Sequence, residues 1–111
     1  MLKFMVVVYK RPDLTPDEFR RHLREIHGPL AMNLPGLRKY IQNFVCADPK
    51  RTPGWDAVIE LYFDNWSSLE AAWASPQGAA CDADLPVFAD VARTTWGSVD
   101  DGYCPVVKTR K

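Results

Sequence analysis

"WDAVIELYFDNWSSLEAAWASPQG", residues 55–78, changes its period half-way along. Trp55, Ala57, Ile59, Leu61 and Phe63 alternate with Asp56, Val58, Glu60 and Tyr62, the two-residue repeat of a strand with one apolar face. From Asn65, a good helix cap, leucine, alanine and tryptophan recur at helical spacing. Ser75-Pro76 then ends one helical piece and starts another.

Working outward, "PGLRKYIQNFVCAD" (35–48) also alternates, and "PKRTPGW" (49–55) is loop chemistry too long for a tight hairpin. These two runs are expected as strands two and three, antiparallel neighbours. Upstream, the valine-rich "LKFMVVVY" (2–9) is expected as a first strand buried on both faces. Thr15, Pro16 and Glu18 form a capping box with a first-turn proline, and Phe19, Leu23, Ile26 and Leu30 continue as an apolar helical stripe. Downstream, "ARTTWGSVDD" (92–101) suits a last strand. The tail "GYCPVVKTRK" (102–111) is expected as a short edge strand or an arm reaching a partner subunit.

The order β-α-β-β-α-β predicts an α+β, ferredoxin-like plan: a four-stranded antiparallel sheet with helices on one face, in a single domain over residues 1–111. Strand three has an apolar row, and both sheet faces need cover. A homodimer stacking sheet on sheet is therefore expected.

Fourteen lysines and arginines balance fourteen aspartates and glutamates, leaving no net charge to draw nucleic acid. No run approaches the roughly 20 apolar residues that span a bilayer, and the opening is too short for a signal peptide. Cys46, Cys81 and Cys104 are odd in number and not spaced as a metal or redox pair. A reduced, cytoplasmic protein is expected, with no membrane or nucleic-acid partner.

Few residues offer chemistry. The only histidines, His22 and His27, lie on helix one, about 140° apart around a regular α-helix, so one metal is not held by both. His27 stands where Gly28-Pro29 is expected to close the helix. It either caps the last carbonyls or, balanced between the helix dipole and partial burial, shuttles a proton near neutral pH. Tyr40 shares a strand face with Gln42 and Phe44, as packing or as a hydrogen-bond donor. Asp56 and Glu60 are either solvated or, if they face the helices, buried acids needing partners such as His27 or Tyr40. With the apolar row assigned to the dimer seam, the second branch is favoured. No glycine-rich phosphate loop or G-x-S-x-G elbow occurs, and Trp66 and Trp73 are core at helical spacing before they are a haem or flavin platform, so no cofactor is expected.

"LTPDEFRRHLREIHGPLA" (14–31), "LPGLRKYIQNFV" (34–45), "DAVIELYFDNWSSLEAAWASPQG" (56–78) and "DLPVFAD" (84–90) together resemble the EthD family of small dimeric α/β-barrel proteins. The "HGPLA" and "PGLRKY" pieces are the most specific. Some relatives are cofactor-free enzymes acting on lactones, or decarboxylases and cyclases for aromatic polyketide products. A methyl-lactone isomerase of the superfamily is similar in carrying a histidine matching His27 and a tyrosine matching Tyr40.

The resemblance implies a cofactor-independent isomerase, cyclase or decarboxylase for a small aromatic, polyketide-like or lactone carbonyl compound. In that scheme His27 moves a proton, Tyr40 donates to an enolate or phenolate oxygen, and Asp56 or Glu60 orients the imidazole. The expected pocket is walled by Phe19, Leu23, Phe44, Trp73 and Phe88. The rival is a non-catalytic small-molecule binding or accessory protein of a degradation or monooxygenase pathway. A cofactor-free oxygenase is a third possibility.

Overall fold

Thr15 starts the first helix in the way its sequence predicts. Its hydroxyl accepts from the Glu18 amide at 3.1 Å, and the Glu18 carboxylate accepts from the Thr15 amide at 2.8 Å. Thr15→Ala is expected to cost about 1 kcal/mol, read as a lower urea midpoint at unchanged slope.

In the computed structural model, which describes residues 1–100 and 102–109, α1 (Pro16–His22) does not stop at Gly28-Pro29. It runs through a π-helical turn (Leu23–His27) into α2 (Gly28–Met32). The Gly28 amide donates to the Leu23 carbonyl, the i→i+5 bond of a widened turn. In an unbroken α-helix the Pro29 ring would press on the carbonyl four residues back, and the wider turn immediately before it gives that ring room.

The extra residue in the turn rotates everything after it. Ile26, expected in the apolar stripe, is 50% exposed, and the inward series becomes Phe19, Leu23, His27, Ala31 and Leu34. The same turn corrects the expected separation of the histidines, because i→i+5 bonding brings residues five apart onto one side.

Among the described residues, β1 (Leu2–Val8), β2 (Lys39–Phe44), β3 (Ala57–Phe63) and β4 (Thr95–Val99) form one antiparallel sheet in the order β2–β3–β1–β4. This is the ferredoxin-like arrangement. Helices α3 (Trp66–Ala74) and α4 (Pro76–Phe88) meet at Ser75, whose hydroxyl caps α4 through the Gly78 amide. Gly78 allows the tight junction: a Cβ there would lie 2.5 Å from the Ala72 carbonyl oxygen.

The helices bring Phe19, Leu23, Leu69, Ala72 and Phe88 to the sheet, and the face that meets them is the apolar row Ala57, Ile59, Leu61 and Phe63 of β3. This overturns the expectation that the row forms an outer seam. Glu60 points the other way, with Val58 and Tyr62. On β1, Val6 and Val8 are buried while Lys3, Met5 and Val7 are half-exposed on that outer face, so this strand is covered on one side within the protomer rather than on both. Strand β4 is exposed along its length. Residues 102–109 add no strand, and Tyr103, Val106 and Val107 are exposed, so the edge strand expected there is absent among the described residues. The remainder of that expectation, residues 110–111, lies outside the described residues.

Candidate active site

The π-turn sets His22 and His27 side by side, and α4 supplies what holds them. His27 Nδ1–H donates to Asp84 Oδ2 at 2.9 Å, while His22 Nε2–H donates to Oδ1 and Oδ2 of the same carboxylate at 3.0 and 2.9 Å. Phe88, one turn further along α4, walls both imidazoles with ring centroids at 4.9 Å from each. With Nδ1 engaged, the nitrogen of His27 left to react is Nε2. Burial pushes this imidazole below its ordinary proton affinity, the Asp84 hydrogen bond and charge pull it back up, and His22 pushes it down again; the net direction is down. His27 is therefore mainly neutral at pH 7, with an unprotonated Nε2, the state that a general base requires.

Tyr40 approaches from β2 on the helix-facing side, paired with Leu61. Its hydroxyl oxygen accepts from Gln42 Nε2 at 2.9 Å, and the same amide donates to the Leu23 carbonyl at 2.8 Å, tying the tyrosine to the π-turn. Since Gln42 acts as the donor, the Tyr40 proton is free for another acceptor. Burial raises its pKa to about 12, so it stays a hydroxyl donor.

His27 and Tyr40 line one apolar cavity of about 40 Å³ between the sheet and the helices. That is room for a few waters, each needing roughly 10–15 Å³ by this measure. Trp73, Asp82 and Trp96 border both this cavity and an open groove of about 600 Å³ that also touches Phe4 and Trp66. The cavity and the groove thus share indole-bearing walls, the apolar lining common in small-molecule sites.

The expected wall is partly corrected. Leu23, Trp73 and Phe88 line the cavity, but Phe19 is buried behind Phe88, and Phe44 lies under the guanidinium groups of Arg20 and Arg24. Asp56 and Glu60 do not reach the imidazole. Asp56 accepts from the Lys10 amide at 2.7 Å, anchoring the start of β3 to the end of β1. Glu60, on the outer face, accepts from Asn43 and Tyr62 at 2.8 Å each, and the Asn43 bond leads in holding its pKa below the ordinary value. Asp84 stands where an orienting acid was sought.

A family model for the EthD domain matches residues 11–92. The chain belongs to the EthD family.

Solved structures share the fold. An EthD family protein from Bacillus halodurans superposes with a TM-score of 0.78 at 24% identity, covering 92% of this chain and 100% of that one. A dimeric protein with a ferredoxin-like fold from Bacteroides fragilis gives 0.68 at 16% identity, covering 90% and 95%. SnoaB from Streptomyces nogalater, a cofactor-independent oxygenase, gives 0.66 at 12% identity, covering 94% and 95%. At these identities the likeness concerns the fold.

In this EthD-family chain, Cys46 and Cys104 are exposed, while Cys81 is buried at the cavity, where burial raises its thiol to about 11 and keeps it protonated. Among the described residues no group of three metal-ligating side chains could hold an ion, and no helix is long and apolar enough to cross a membrane. Asp84 had a faint signal at best. It lies 57 residues from His27, two positions after Asp82, and the pair resembles a solvated helix face.

Proposed function

We propose that this EthD-family protein is a cofactor-independent acid/base enzyme acting on a small aromatic, polyketide-like or lactone carbonyl compound, and that it works as a homodimer through its sheet faces. One observation carries the reading: a neutral imidazole oriented by Asp84 and a phenol with its proton free border the same apolar cavity. His27 Nε2 takes a proton from carbon next to the carbonyl, and the C–H electron pair moves into the new C=C bond as the carbonyl oxygen becomes an enolate. Tyr40 O–H donates to that oxygen. His27 then returns the proton to another carbon, which completes an isomerisation; in a ring closure the enolate carbon instead bonds to a second carbonyl carbon of the same molecule, that C=O pair moves onto its oxygen, and His27 gives its proton to the resulting alkoxide.

Support for the dimer comes from the outer sheet face, where Met5, Val7, Ile41 and Val58 surround the Lys3–Glu60–Tyr62 cluster, and from the dimeric form of the Bacteroides fragilis fold relative. The test is a panel of quinols, anthrones and methyl-lactones, followed by product analysis and ligand titration. Tyr40→Phe is expected to lower turnover by roughly 10²-fold, the usual loss of one oxyanion donor, while keeping ligand. Ligand binding without turnover in the wild type would make the chain an accessory binding protein; neither binding nor turnover would refute both.

The likeness to SnoaB favours a second reading, an oxygenase. The same base would deprotonate an anthrone-type substrate, molecular oxygen would bond to the resulting carbanion carbon as a hydroperoxide, and loss of water would leave one oxygen atom as the new carbonyl. Oxygen consumption with an anthrone substrate separates this from isomerisation.

A further inference from the structure

His22 is used by nothing so far, yet it is held as firmly as His27. The side chains of His22, His27 and Asp84 are 16%, 13% and 13% exposed, so the cluster is mostly screened from water. Two imidazoles share one carboxylate, and one carboxylate balances one positive charge. We propose that His22 is a positioning residue for the His27 base: seated on both oxygens of Asp84, it takes the single proton the carboxylate balances and so leaves the cavity imidazole neutral, with its Nε2 lone pair free. The inference rests on His27 being the base of the proposed reaction.

Three features favour His22 as the proton's seat. Its single Nε2–H is shared between both carboxylate oxygens whereas His27 meets one, so His22 sits centrally on the negative charge, which favours the ionised partner. His27 faces an apolar cavity, where a cation has little to solvate it. Once one imidazole is charged, the second proton meets a like charge across the shared carboxylate, so the pair titrates as a coupled unit.

The other groups facing His27 do not change this order. Asp82 on α4 attracts a proton weakly, and it is the smallest influence on the imidazole. The Cys81 thiol on the same helix and the Tyr40 hydroxyl on β2 stay neutral. Arg20 and Arg24, on the first helix and its π-turn, lie over Phe44.

The chain has two histidines and both are in the cluster, so nitrogen-15 NMR of the imidazoles in the full-length protein reads it directly. Wild-type His27 is expected to carry its proton on Nδ1 and to remain neutral while His22 takes up a proton. His22→Gln keeps a donor to Asp84 but removes the competitor, so the His27 midpoint is expected to rise by roughly one pH unit. The acid limb of kcat/KM should rise with it. Asp84→Asn should lower that midpoint and release the Nδ1–H tautomer. A His27 midpoint that stays put or falls in His22→Gln overturns the proposal, as does an Nε2–H tautomer in the wild type. Should His22→Gln not fold, the wild-type titration decides, and protonation of His27 before or together with His22 overturns it. The NMR shifts occurring in a chain without turnover would overturn His22 as a positioning residue together with the enzyme reading, whereas turnover with an unmoved His27 midpoint in His22→Gln overturns this inference alone.

Discussion

His27→Gln is expected to lower turnover by roughly 10²–10⁴-fold, the span that general acid–base catalysis contributes, while ligand affinity changes little. Glutamine keeps polar volume at the cavity wall and a donor toward Asp84, so the substitution isolates proton transfer from packing. The pH dependence gives an independent check. Catalysis needs the unprotonated imidazole, and burial sets His27 below the ordinary value of 6.5. The wild-type rate should therefore hold as pH falls through 6.5 and decline only as pH passes the lowered His27 value. At the other end, Tyr40 with a pKa of about 12 remains a donor, so no alkaline limb from the phenol is expected below that pH. Single-turnover kinetics with the panel substrate, across pH, would show both. A His27→Gln variant with wild-type rate would remove the imidazole from the mechanism.

What the sequence made legible is what is decided locally. The Thr15–Glu18 capping box, the Ser75-Pro76 break between α3 and α4, and the alternation of β3 each depend on neighbours within a few residues, and each is found as read. The errors came where a distant contact chooses between local options. Alternation in β3 defined two faces but not which one the helices cover, and that choice moved Glu60 from a presumed site to the outer surface. The π-turn is a tertiary decision as well: the Leu23 carbonyl takes the Gly28 amide and also the Gln42 side chain from β2. A helical wheel at 100° per residue has no place for the added residue, so it separated two histidines that share a carboxylate and put Ile26 where His27 belongs. His27 and Tyr40 stood out in the sequence as the histidine before Gly28-Pro29 and a strand tyrosine, and the similarity to a methyl-lactone isomerase matched both positions. It offered nothing for Asp84 or His22, whose partnership exists only once α4 lies against the first helix.

Phe88 packs at that contact between helices beside the Asp84 hydrogen bonds, and Phe88→Ala is expected to destabilise the fold by about 3–5 kcal/mol, the usual range for a buried phenylalanine in a core. Phe88 is fully buried, lies 5.8 Å from the Phe19 ring, and packs against both imidazoles. Its removal deletes the apolar transfer energy of the ring. It also leaves a void beside a His–Asp–His cluster whose hydrogen bonds stay strong only while water is kept out. The surroundings have little freedom to collapse into that void, because the Phe88 carbonyl accepts from the Arg11 amide at 3.1 Å and fixes this end of α4. Phe88→Leu, which refills much of the volume, should recover a large part of the loss. Urea unfolding at pH 7 measures both variants, with the slope checked for two-state behaviour. A cost below about 1 kcal/mol for the alanine variant, far under the core range, would mean that α4 does not pack on the first helix through this ring, and the shared carboxylate would lose its structural basis along with it.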